Sequence, residues 1–187
     1  MILVIDNYDS FTYNLVHLLE EFDQVRVLRN DKLSVDDAAI MAPDKIIISP
    51  GPGRPDDAGI SKELIDYFKD KIDILGVCLG HQCIGEVFGS EVVEADRIVH
   101  GKVSAIRKVK NDGLFAGVED GFVATRYHSL IVDRESLSPE LEVLAESDEG
   151  EIMALKHREY SVYGVQFHPE SILTVAGREL IKNFLEL

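Results

Sequence analysis

Apolar residues recur along this chain in two rhythms, and the change between them comes near Glu91. Before it, short apolar runs alternate with segments of helical period. ILVI (2–5) predicts a buried parallel strand. The following SFTYNLVHLLEEF (10–22) places Phe11, Leu15, Leu18, Leu19 and Phe22 on one helical face, with Asp9 or Ser10 as the expected cap. QVRVL (24–28) and KIIIS (45–49) predict two more strands, separated by a short helix over SVDDAAIMA with Ser34 as its cap. SPGPGRPDDAG (49–59) must be loop, because its three prolines and three glycines can continue neither regular structure. A helix over 61–68, a strand DILGV (73–77) and a helix through LGHQCIGEVFG (79–89) complete the first half.

Short strand–helix units of this kind imply parallel strands joined by right-handed crossovers. The expected fold is therefore α/β, a doubly wound and mostly parallel central sheet with helices on both faces. Beyond Glu91 the rhythm changes to short strands: EVVE (91–94), VSAIRKV (103–109), GFVAT (121–125), LIVD (130–133), LEVLAES (141–147), EIMALKH (151–157) and SVYGVQF (161–167). They predict a small antiparallel extension whose last strand returns to the main sheet, followed by a closing helix over 176–185. The 187 residues fit one domain spanning 1–187, without repeats or a linker.

Acidic residues outnumber basic ones by 34 to 19, for a formal charge of −15, so phosphate backbones and anionic membrane surfaces would be repelled. Neither nucleic acid nor a membrane is an expected partner. The opening MILVID lacks the basic start and long apolar stretch of a signal peptide, and two cysteines five positions apart do not suggest a disulfide framework. A cytoplasmic protein is expected.

GVCLGHQ (76–82) poses the chemical question. Gly76-Val77-Cys78-Leu79-Gly80 has the form of a nucleophile elbow, in which a sharp strand-to-helix turn exposes the middle side chain. The amides and dipole of the helix N-terminus favour a thiolate there, and the Leu79 N–H points where an oxyanion would form. Taken alone, such a cysteine is more often a small core residue, so a base is needed. His168 lies just past a buried-looking strand, with Glu170 two residues on. Together with Cys78 they would make a nucleophile, a base and an orienting carboxylate. Glycines 51 and 53 allow backbone amides to approach a ligand, and Pro50 and Pro52 limit the loop's freedom. Cys83 reads as core, and His81 and His128 as residues flanking a pocket. Histidines 81, 100, 128 and 168 lack metal-ligand spacing.

DNYDSFTYNL, SPGPGRPDDAGIS, GVCLGHQ, HGKVS, TRYHSL and YGVQFHPESILT resemble the motifs of triad-type glutamine amidotransferases over essentially the whole chain. The resemblance is nearest to the small, component II subunits of anthranilate synthase and aminodeoxychorismate synthase. It implies a class I amidotransferase-like, flavodoxin-like fold, and a subunit that hydrolyses glutamine through a cysteinyl thioester. The ammonia would pass to a larger synthase subunit that aminates chorismate, for anthranilate or alternatively for aminodeoxychorismate. By the same resemblance Cys78, His168 and Glu170 are catalytic, Gly51 and Leu79 form the oxyanion hole, and Gly51, Pro52, Gly53, Gln82, Ser129 and Leu130 hold glutamine. It implies no cofactor in this chain and magnesium in the partner, with DNYDSFTYNL and DRIVHGKVS as the docking face of a hetero-oligomer. A reading from another class is a non-catalytic module that senses glutamine.

Overall fold

One nine-stranded sheet carries the chain, in the order β2-β1-β3-β4-β9-β8-β7-β5-β6. A computed structural model describes residues 1–187, apart from the side chains of Ile98 and Val99. The strands are β1 Ile2–Asp6, β2 Val25–Arg29, β3 Lys45–Ile48, β4 Asp73–Val77, β5 Val92–Lys108, β6 Phe122–Val132, β7 Leu141–Ser147, β8 Ile152–His157 and β9 Val162–Val165. The helices are α1 Thr12–Glu20, α2 Val35–Met41, α3 Ser61–Phe68, α4 Leu79–Val87 and α5 Gly177–Glu186. Strands β1, β2, β3, β4 and β9 pair in parallel, and β9 then joins β8 antiparallel.

Alternation along the strands sends side chains to two cores. Ile2 and Val4 meet Leu15 and Leu19 of α1 and Leu180, Ile181 and Phe184 of α5 on one face. Leu3 and Ile5 meet Ala38 of α2, Leu64 and Phe68 of α3 and Ile84 of α4 on the other. Burying each of these large side chains contributes about 1.5–3 kcal/mol, which is why an apolar run buried on both sides sits at the sheet's centre. No helix among the described residues is long and apolar enough to cross a membrane.

The parallel half matches the sequence expectation closely, including the Ser34 cap, where Ser34 and Asp37 form a reciprocal capping box. Three expectations are corrected. EVVE and VSAIRKV are parts of one 17-residue strand, β5, which continues through register shifts between Glu94 and Val99 and between His100 and Lys102. GFVAT and LIVD likewise belong to the single strand β6, so TRYHSL is strand and not a connection. Neither Asp9 nor Ser10 caps α1; its N-cap is Phe11, whose N–H donates to Asp9 Oδ1 at 2.7 Å. The antiparallel strands extend the main sheet itself.

Candidate active site

Strand β4 ends at Val77 and α4 begins at Leu79, leaving Cys78 as the whole turn between them. Its backbone adopts φ 53° and ψ −100°, a left-handed conformation that a residue with a Cβ rarely takes and that typically costs on the order of 1–3 kcal/mol. Two glycines make the turn possible. A Cβ on Gly76 would stand 2.4 Å from the Gly80 backbone, and one on Gly80 would stand 2.4 Å from the Ile48 carbonyl oxygen. Helix α4 therefore lies directly against the sheet, and the Cys78 N–H donates to the Val165 carbonyl at 2.8 Å.

That last bond brings the second half of the chain to the elbow. Pairing of Val77 with Val165 puts residues 166–170 at the same sheet end as Cys78. His168 is fixed from several sides. Its N–H donates to the Thr125 carbonyl at 2.9 Å, its own carbonyl accepts from Thr174 Oγ1 at 2.7 Å, and the Thr125 N–H donates to that same hydroxyl at 3.0 Å. Behind it, α5 begins so close that a Cβ on Gly177 would stand 1.8 Å from the Pro169 carbonyl oxygen.

The His168 Nδ1 atom lies 2.6 Å from Glu170 Oε1, with both side chains almost wholly buried. The other ring nitrogen, Nε2, is buried without a hydrogen-bond partner. Burial alone would push the imidazole's pKa down, but the Cys78 sulfur and the Glu170 carboxylate act against it and hold the value up to about 10. Phe11 and Tyr127 enclose the imidazole edge-on, with ring centroids 6.0 and 5.2 Å away.

On the other side of the cysteine is a cavity of about 160 Å³ lined by Gly51, Pro52, Gly53, Cys78, Gln82, Tyr127, His128, Ser129 and Leu130. Every residue expected to hold glutamine lines this cavity, whereas His168 and Glu170 do not. Gly51 packs so tightly that a Cβ would meet the Asn7 side chain at 2.6 Å and Leu79 at 2.7 Å, so the 50–53 loop and the start of α4 are pressed together. Asn7 anchors this loop, donating from its N–H to Ser49 Oγ and from Nδ2 to the Ser49 carbonyl, both at 2.9 Å. Leu79 occupies the first turn of α4, where backbone N–H groups have no intrahelical acceptor.

Gln82 is engaged from the wall side: its Nε2 donates to the Leu130 carbonyl at 3.0 Å and to Gln166 Oε1 at 3.1 Å. Gln166 in turn donates from Nε2 to Cys78 Sγ at 3.5 Å. Sequence reasoning missed Gln166, Tyr127 and the role of Phe11 beside His168. For Gln166 the signal was present, a lone polar residue inside the apolar run YGVQF. The docking segment DNYDSFTYNL divides: Asp6, Asn7 and Thr12 are buried, and only Tyr8 and Tyr13 among its larger side chains are well exposed. DRIVHGKVS lies within β5, and its Ile98 and Val99 side chains fall outside the described residues.

Cys83, one turn along α4, is fully buried, and burial pushes its thiol pKa up. Both cysteines are free. Among the described residues no group of three or more His, Cys, Asp or Glu could hold a metal ion.

A strained cysteine elbow backed by a His–Glu pair and facing a glycine-walled cavity defines a class of thiol amidohydrolase sites, and the chain belongs to the class-I glutamine amidotransferases. The family model described as "Glutamine amidotransferase class-I" matches residues 3–187. The chain is 53% identical to "Aminodeoxychorismate/anthranilate synthase component 2" of Bacillus subtilis (strain 168), over 100% of this chain and 96% of that protein. It is 52% identical to the "Bifunctional protein TrpGD" of Thermotoga maritima over 100% of this chain, and spans 32% of that longer protein. Among solved structures, a putative GMP synthase protein from Thermoplasma acidophilum superposes with a TM-score of 0.87 at 25% identity, covering 99% of this chain and 92% of that one.

Proposed function

We propose that this chain is the glutamine-hydrolysing subunit of a chorismate-aminating synthase, with Cys78, His168 and Glu170 as its catalytic residues. The observation that supports it most is that Cys78 lines the small cavity and also acts on the imidazole of a histidine held by Glu170. The Cys78 sulfur attacks the side-chain amide carbon of glutamine. The resulting oxyanion is received by the Gly51 and Leu79 N–H groups, a contribution of about 3 kcal/mol per donor in sites of this type. His168 gives its Nε2 proton to the departing nitrogen, and ammonia leaves a γ-glutamyl thioester. Water then loses a proton to His168 and attacks the thioester, releasing glutamate and restoring the cysteine. No cofactor enters these steps.

The amino-acid end of glutamine faces the Ser129–Leu130 strand segment and Gln82. Both Gln82 N–H groups are already committed to Leu130 and Gln166. Its Oε1 is the atom left to accept from the substrate's ammonium group. The ammonia is consumed by a larger synthase subunit that works on chorismate, and anthranilate is the first product expected. The Bacillus subtilis relative bears both names, which supports aminodeoxychorismate as a second product of the same small subunit.

Glutamate release from glutamine, followed with and without the candidate synthase partner, tests the reading. Cys78→Ser should lower it by at least about 10³-fold while leaving ammonia-supported amination of chorismate by the assembled complex intact. Loss of both activities in an intact complex would sink it.

A further inference from the structure

His128 lines the same cavity as Cys78 yet takes no part in the steps above. Its ring is held by a charged neighbour on the same strand face. Arg126, two residues earlier on β6 and 1% exposed, donates from Nε to His128 Nε2 at 2.9 Å. The guanidinium is itself fixed: Nη1 donates to Ser104 Oγ at 3.2 Å and lies 3.5 Å from Glu149, and Nη2 pairs with Glu151. An arginine stays charged and offers no acceptor, so the shared hydrogen belongs to Arg126 and His128 Nε2 must present its lone pair. The ring proton is then confined to Nδ1, the reverse of the tautomer that an unconstrained imidazole favours. Nδ1 is buried with no partner of its own at bonding geometry.

We propose that Arg126 is a positioning residue of this site: through its Nε–H it fixes the His128 ring, as the Nδ1–H tautomer, in the wall that receives glutamine. The positioning of that wall for glutamine rests on the glutamine reading of the cavity; the tautomer does not. The clamp also settles where positive charge stands. The groups acting on His128 are Arg126 on its own strand, His81 from α4 and His168 from the segment after β9, with the Leu130 backbone opposing them. Burial first, then the Arg126 guanidinium and the two other imidazoles, push His128 down to about 3. His168 is left as the one charged imidazole beside Cys78.

Nitrogen-15 spectra of the histidine-labelled full chain read the tautomer directly, with the His128 signals assigned by their loss in His128→Asn. The expected result is an uncharged ring protonated at Nδ1 from mildly acidic to neutral pH. A ring protonated at Nε2, or at both nitrogens, overturns the clamp. Arg126→Gln combined with Glu151→Gln leaves no buried carboxylate without its partner, and should shift the signature toward Nε2–H. In a Cys78→Ser background, the same pair should weaken L-glutamine binding, measured by calorimetry, by about fivefold, the worth of the one hydrogen bond that holds the wall's imidazole. If the double variant unfolds, Arg126→Lys keeps the charge but cannot reach His128 and Glu151 together, and the same direction is expected. A shifted tautomer with unchanged glutamine affinity overturns the positioning role. A Cys78→Ser parent that fails to bind glutamine overturns the reading of the cavity and the positioning role with it, while the tautomer result stands.

Discussion

Two buried imidazoles, His168 and His128, stand near one cysteine and are driven in opposite directions, one up to about 10 and the other down to about 3. Depth does not distinguish them, since both are more than nine-tenths buried. Their neighbours do. His168 meets a carboxylate and a sulfur, whereas His128 meets a guanidinium and two other imidazoles. In a medium where a lone charge is costly, the sign of the nearest partner decides the protonation state, and a proton-transfer group is made distinct from a structural one by its contacts.

The sharpest way to break this comparison is to replace each ring in turn. His168→Asn should reduce glutamate release by at least about 10³-fold, whereas His128→Asn should cost only about fivefold. Equal losses would erase the distinction. Glu170→Gln comes next. It removes the charge that steadies the His168 imidazolium, so turnover should fall by roughly 10²- to 10³-fold with glutamine affinity little changed, as measured by steady-state kinetics on the synthase complex.

A smaller effect appears in stability. His168 titrates higher in the folded chain than its ordinary 6.5, so its contribution is fully present below pH 6.5 and is lost as pH rises toward about 10. His128 titrates lower when folded, so its contribution is present above pH 6.5 and is lost as pH falls toward about 3; buried His81, lowered to about 4, adds to the same acid limb. Urea unfolding across pH should show both limbs. His168→Asn should flatten the alkaline one and His128→Asn the acid one.

Much of this was legible in the chain itself, for physical reasons that differ by region. The parallel half declares its strands because they are buried on both faces: DILGV and the helix over 61–68 match β4 and α3 residue for residue. The long strands β5 and β6 do not declare themselves. EADRIVHGK (94–102) reads as a break because it is polar and contains Gly101, which adopts φ 66°. Cross-strand pairing with β6 carries it through as strand all the same. Among site residues, Cys78, His168 and Glu170 stood out by spacing and motif. Tyr127 and Phe11 did not, because an aromatic beside a catalytic ring has the same local pattern as one in any core. Arg126 within TRYHSL carries no local sign of its role, because its partner Glu151 comes from the turn before β8.

The centre of the sheet is closed late. Tyr163 of β9 pairs with Leu75 of β4, 88 positions earlier in the chain, and no nearer strand takes that edge of β4. While the polypeptide is emerging from the ribosome, Cys78 is made well before Val165, whose carbonyl accepts from its N–H, and before His168. A nascent fragment ending before residue 162 would display an open strand edge beside the Cys78 thiol. Non-local closure of this kind also slows folding, so the interval before β9 docks is when the chain is most exposed to mispairing.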